Sequence, residues 1–135
     1  MLCNKTRNMV LKKFLLCDII NNILIPWIRI ALERRITVKQ FVEVHYYVND
    51  GKRTEFYNEI IKRGIADASR SEEGNEKYDY FFSPDNENEL LLLEIWSSPE
   101  AVKLHGETSH FRELGDLKKE YVEDTVIRRY EIPEK

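Results

Sequence analysis

A chain of 135 residues with 42% hydrophobic side chains has room for one full-sized domain and enough apolar mass for its core. The formal charge of -3 argues against nucleic acid as the main partner, because such binders carry a strongly basic surface. Five Gly and four Pro are too few for low-complexity disorder.

The small net charge hides an asymmetry on either side of Val38. Residues 1 to 38 hold seven Lys/Arg against two Asp/Glu, a net +5, and residues 39 to 135 hold fourteen against twenty-two, a net -8. Both cysteines, Cys3 and Cys17, lie in the basic arm. The acidic body therefore has no thiol for a disulfide or a thiolate metal site, which suits a reducing cytoplasm.

The arm is arranged like a signal peptide or membrane anchor, with basic residues first and an apolar stretch from Phe14 to Leu32. Its eleven Ile, Leu and Phe residues each favour insertion by about 0.3 to 0.6 kcal/mol, and Asp18 and Arg29 each oppose it by roughly 2.5 to 3.5. Those terms nearly cancel. Asn21, Asn22 and Pro26 tip the sum against insertion, and no small-residue cleavage site follows Leu32. The expectation is a weak amphipathic arm rather than a membrane span, with anchoring as the alternative. An over-extended start before Ile36 would also produce such an arm.

The body begins with Val42, Val44, Tyr46 and Val48 alternating with Phe41, Glu43, His45 and Tyr47, a strand that stops at Asn49-Asp50-Gly51. Phe56, Ile60, Ile61, Gly64, Ile65 and Ala68 then recur at steps of three and four, which predicts one helix ending near Arg70. After the Glu73-Gly74-Asn75 turn, Tyr78, Tyr80 and Phe82 alternate with Lys77, Asp79 and Phe81 until Pro84. The run from Leu90 to Trp96 is apolar on nearly both faces, as in a central strand covered on two sides. Ser98-Pro99-Glu100 starts a helix: Ser caps it, Pro has no amide hydrogen to leave unpaired, and Glu complements the dipole. That helix is loosened at Gly106 and resumes through Phe111, Leu114 and Leu117. The β-branched stretch from Tyr121 to Ile132 forms a last strand closed by Pro133.

The order βαββαβ is the α+β ferredoxin-like plan, an antiparallel sheet with both helices on one face. Its other face, apolar and bare in a monomer, predicts a homodimer in which two sheets meet and form a dimeric α+β barrel.

The segments EEGNEKYDYFFSP and LLLLEIWSSPEAVKLHGETSHF together resemble the antibiotic biosynthesis monooxygenase family over roughly residues 39 to 132. The resemblance implies a small dimeric ferredoxin-like enzyme, such as the cofactor-independent quinol monooxygenases. The same pattern is similar to the isomerase of phosphorylated autoinducer-2, which typically has Tyr where this chain has Trp96. The heme-degrading relatives also share the Trp. They rely on an Asn and a His at positions that fall at about Val44 and Gly115, which disfavours heme degradation.

The body has no dinucleotide-binding glycine fingerprint and no metal cluster recognisable by spacing. The substrate itself must then supply the electrons for O2, and neither cofactor nor metal is expected. A quinol fits, given a base near neutral pKa, an apolar cavity and an aromatic wall. The candidate catalytic residues are His105, His110, Trp96 and Glu94, and the candidate substrate-binding residues are Val44, Tyr46, Tyr78, Tyr80, Phe82 and Phe111. Five positions of helix separate the two histidines by about 140°, so both face one cavity only if Gly106 breaks the helix. Glu94 shares a strand face with Trp96, where it orients a histidine or pairs with Arg128 or Arg129. His45 is expected to be structural, Glu72 and Glu73 to be solvated loop charges, and Gly74-Asn75 only to make the turn. A non-catalytic ligand-binding dimer is the third alternative.

Overall fold

The computed structural model describes residues 38–133, so residues 1–37, the arm apart from Val38, lie outside the described residues. The element order is β1 (Lys39–Val48), α1 (Arg53–Lys62), α2 (Ile65–Arg70), β2 (Asn75–Phe82), β3 (Glu89–Trp96), α3 (Pro99–His105), α4 (Ser109–Tyr121) and β4 (Val122–Ile132). All strand pairs are antiparallel and the sheet order is β2-β3-β1-β4. This is the ferredoxin-like α+β fold. The sheet is open, not closed into a barrel.

The two-residue period of β1 becomes its two faces. Val42, Val44, Tyr46 and Val48 are buried, and Phe41, Glu43, His45 and Tyr47 are half-buried on the opposite side. Register extends the inner face across the sheet in rows, one being Arg129–Val42–Glu94–Tyr78 and the next Ile127–Val44–Leu92–Tyr80. Helical residues Phe56, Ile60, Ile65, Leu114, Leu117 and Tyr121 close over these rows. Each large apolar side chain so buried contributes roughly 1.5–3 kcal/mol.

The single first helix expected from the apolar spacing is two helices. Gly64 has φ +70°, a left-handed conformation favoured by glycine, and its N–H bonds the Ile61 carbonyl at 3.0 Å. Ile65 and Ala66 remain inward after the break, so the spacing of buried residues survives it. The last strand starts one residue later than the sequence suggests, because Tyr121 completes α4 and packs its ring 5.7 Å from Phe56.

The outer face carries Phe41, Tyr47, Phe81, Leu91, Leu93, Ile95 and Tyr130. Among the described residues no element covers it, although β3 reads as a strand covered on both sides. No helix among the described residues is long and apolar enough to cross a membrane.

Candidate functional site

The site forms where α3 ends. Ser98 caps that helix by accepting the Ala101 N–H at 3.1 Å. One turn later the chain leaves the helix at Gly106, and Thr108 accepts the Phe111 N–H at 3.2 Å to start α4. The break replaces the divergence of a continuous helix with convergence. The His105 and His110 rings stand 5.9 Å apart, and both bind the same oxygen of Glu72.

Glu72 was expected to be a solvated loop charge, and the structure corrects this. Its side chain is largely shielded, and Oε1 accepts from His105 Nδ1 at 2.7 Å and from His110 Nε2 at 2.5 Å. Facing a carboxylate, each of those nitrogens carries the hydrogen, so His105 keeps the lone pair on Nε2. Gly74 does more than turn the chain. At φ +87°, a Cβ there would lie 2.7 Å from Ala101 Cβ and 2.8 Å from Ser97 Oγ. The loop is thereby seated against the start of α3, with the Ser97 N–H bonded to the Gly74 carbonyl at 2.8 Å.

His105 is 4% exposed. Its ring lies 4.7 Å from Trp96, 5.6 Å from Tyr78 and 5.1 Å from Phe111. Burial holds its proton affinity below the usual imidazole range, Glu72 works against that, and His110 adds to it. Trp96 is fully buried and donates its indole N–H to Glu94 at 2.7 Å. Burial pushes the Glu94 carboxyl up to about 7, against the opposing effects of the Trp96 hydrogen bond and the Arg129 charge. Glu94 therefore orients neither histidine through a direct bond.

A cavity of about 240 Å³ lies between the sheet and helices α3 and α4. Val44, Tyr46, Tyr78, Glu94, His105 and Phe111 line it, bringing six of the ten candidate residues together. Trp96 stands behind His105 and Glu94, and His110 stands behind Glu72. Tyr80 packs between Tyr78 and Tyr57, away from the cavity wall. Phe82 is displaced further: at the far end of β2 its ring contacts Tyr57 at 5.2 Å beneath the Arg53 guanidinium. The shared strand face that suggested these two residues is real, but the face outruns the cavity.

The roles of Glu72 and Lys118 are absent from the sequence reading; Lys118 lines the cavity together with Arg129, which the sequence offers only as a partner for Glu94. The signal for Glu72 is indirect: a buried and a half-buried histidine N–H need an acceptor. Glu72, His105 and His110 also place one donor atom each within 4.8 Å of one another, so a single metal ion could engage all three. Such a cluster was invisible in the spacing, because 33 residues separate Glu72 from His105. Val44 and Gly115, the positions relevant to heme degradation, both line the cavity and offer no side-chain donor.

Residues 40–116 fit the model of the antibiotic biosynthesis monooxygenase family, and the chain belongs to that family. The Bacillus subtilis (strain 168) protein named "Putative monooxygenase YcnE" is 38% identical over 71 residues, covering 53% of this chain and 73% of its own. A conserved protein of Methanosarcina mazei Go1 superposes with TM-score 0.64 at 25% identity, over 71% of this chain and 94% of that one. A Caulobacter crescentus CB15 protein described as a "putative antibiotic biosynthesis monooxygenase" gives 0.65 at 24% identity, over 73% and 93%. The last likeness concerns the fold alone. Family and relative give the chain a monooxygenase-like function.

Proposed function

We propose that this protein is a cytoplasmic, homodimeric monooxygenase that oxidises a quinol or related polyhydroxylated aromatic with O2 and without a cofactor. His105 acts as the base. The observation that carries this reading is the setting of His105: Nδ1–H is anchored on Glu72, which leaves the Nε2 lone pair as the group available to the cavity that His105 lines.

The chemistry follows from that placement. His105 removes the proton of a ring hydroxyl, and the electron-rich anion passes one electron to O2. The radical pair recombines at a ring carbon that bears hydrogen, forming a hydroperoxide. Loss of water from it leaves a carbonyl, so one oxygen atom stays on the product and the other departs as water. Glu72 stabilises the imidazolium and fixes the tautomer, and His110 holds Glu72 in place, which makes both positioning residues. Trp96 backs the imidazole, and apolar Val44 and Phe111 keep water from the anion. Joining two outer sheet faces would cover the apolar surface of each subunit.

A second reading is supported by Glu94. With a carboxyl near neutral pKa and an imidazole on one cavity, the site could move protons without O2, as an isomerase of a small phosphorylated signal requires. Oxygen uptake with reduced naphthoquinones separates the readings. Uptake well above the spontaneous rate supports the oxygenase, and anaerobic turnover of a phosphorylated substrate with no uptake on any quinol replaces it.

A further inference from the structure

The cavity that His105 lines has two ends with different chemistry. Along β1, the strand position of Val42 neighbours Glu94 and that of Tyr46 lies four residues further on, roughly 13 Å at the usual rise of a strand. Over the Tyr46 ring, at 5.4 Å from its centre, lies the Lys118 ammonium. Lys118 lines the same cavity and is half-buried.

Lys118 has no carboxylate partner among the described residues. Of the acidic groups on α4, Asp116 pairs with Lys119 at 2.7 Å and Glu113 with Arg63 at 3.6 Å, and Glu120 makes no ion pair with Lys118. Glu94, the cavity's own carboxyl, sits in the row that also carries Arg129, whose charge acts on it. Burial alone lowers the proton affinity of Lys118, with no opposing anion. A partly desolvated cation facing an apolar wall costs free energy unless an anion arrives to meet it.

We propose that the ligand of this cavity is an aromatic carrying an anionic substituent, a carboxylate or a phosphate, which Lys118 receives at the end remote from His105. The inference deepens the proposed function by naming the substrate class of that site, but it concerns binding and does not depend on oxygen chemistry. The reacting hydroxyl then lies beside His105 because the anion fixes the direction in which the ring enters.

The test is calorimetric titration of the full-length protein with non-reacting probes of similar shape: 2-naphthoate, 2-naphthyl phosphate and the neutral 2-naphthalenemethanol. A charge-assisted contact predicts that an anionic probe binds at least about tenfold tighter than the neutral one. Lys118→Met should reduce that preference to within about threefold, and Lys118→Arg, which keeps the charge, should retain most of it. The tighter of the two anions identifies the substituent. Equal affinity for charged and neutral probes in wild type, no binding of any probe, or a preference unchanged in Lys118→Met overturns the proposal. Should Lys118→Met fail to fold, Lys118→Gln replaces it as the neutral variant, with the same two outcomes. Failure of the oxygenase reading would show instead as absent oxygen uptake, with these affinities unaffected.

Discussion

The two faces of the sheet each hold a histidine against carboxylate, and they hold it differently. On the outer face His45 sits between Glu43 at 3.0 Å and Glu89 at 2.5 Å, with partial exposure. The hydrogen bond from His45 keeps the Glu89 carboxyl below its usual range. On the inner face His105 shares one carboxylate with a second histidine, is nearly sealed, and is walled by aromatic rings. One carboxylate shared by two imidazoles, in an apolar enclosure, favours a neutral ring whose free nitrogen can take a proton.

The sharpest way to break this comparison is to remove each imidazole. His105→Ala should lower kcat/KM for oxygen uptake by about 10²–10⁴-fold, the usual worth of a general base, and His45→Ala by less than about twofold. Oxygen-electrode rates on a reduced naphthoquinone check both. Glu72→Gln removes the charge that steadies the imidazolium and should cost about tenfold to a hundredfold, because such orienting groups act through the base. His110→Ala should cost less than Glu72→Gln, since His110 acts only through Glu72.

A change in pH probes the buried carboxyl. The Glu94 pKa of about 7 lies above its unfolded value near 4.3, so the folded state holds the extra proton between those values. Stability therefore falls as pH rises through that window and levels off above it. Glu94→Gln should remove the slope, which is worth about 2 kcal/mol between pH 5.5 and pH 8.5, as measured by denaturant unfolding at those two values. Gly74→Ala should destabilise by roughly 1–3 kcal/mol through overpacking against Ala101 and left-handed strain. Thermal unfolding would record it as a fall in Tm of about 4–8 °C per kcal/mol.

Much of the fold is legible because its signals are local. Alternation in β1, the apolar run of β3 and the Ser98-Pro99 start each reflect a rule acting within a few residues. The break after His105 is also legible, since Gly106 marks it before any contact is known. Gly64 is harder, because apolar spacing continues through it. Glu72 could not be recognised, as its role depends on a loop seated by Gly74 against α3 and on side chains 33 and 38 residues away. Phe82 illustrates the reverse error: sharing a strand face does not mean sharing a cavity only part as long.

The central claim concerns which nitrogen of His105 is free, and nitrogen-15 NMR of the imidazoles tests it most directly. The account predicts a neutral His105 protonated at Nδ1 near pH 7, with an Nε2 resonance that moves when a naphthol probe fills the cavity while that of His45 stays put. A His105 that titrates like a solvent-exposed imidazole, or is protonated at Nε2 and indifferent to the probe, would contradict it.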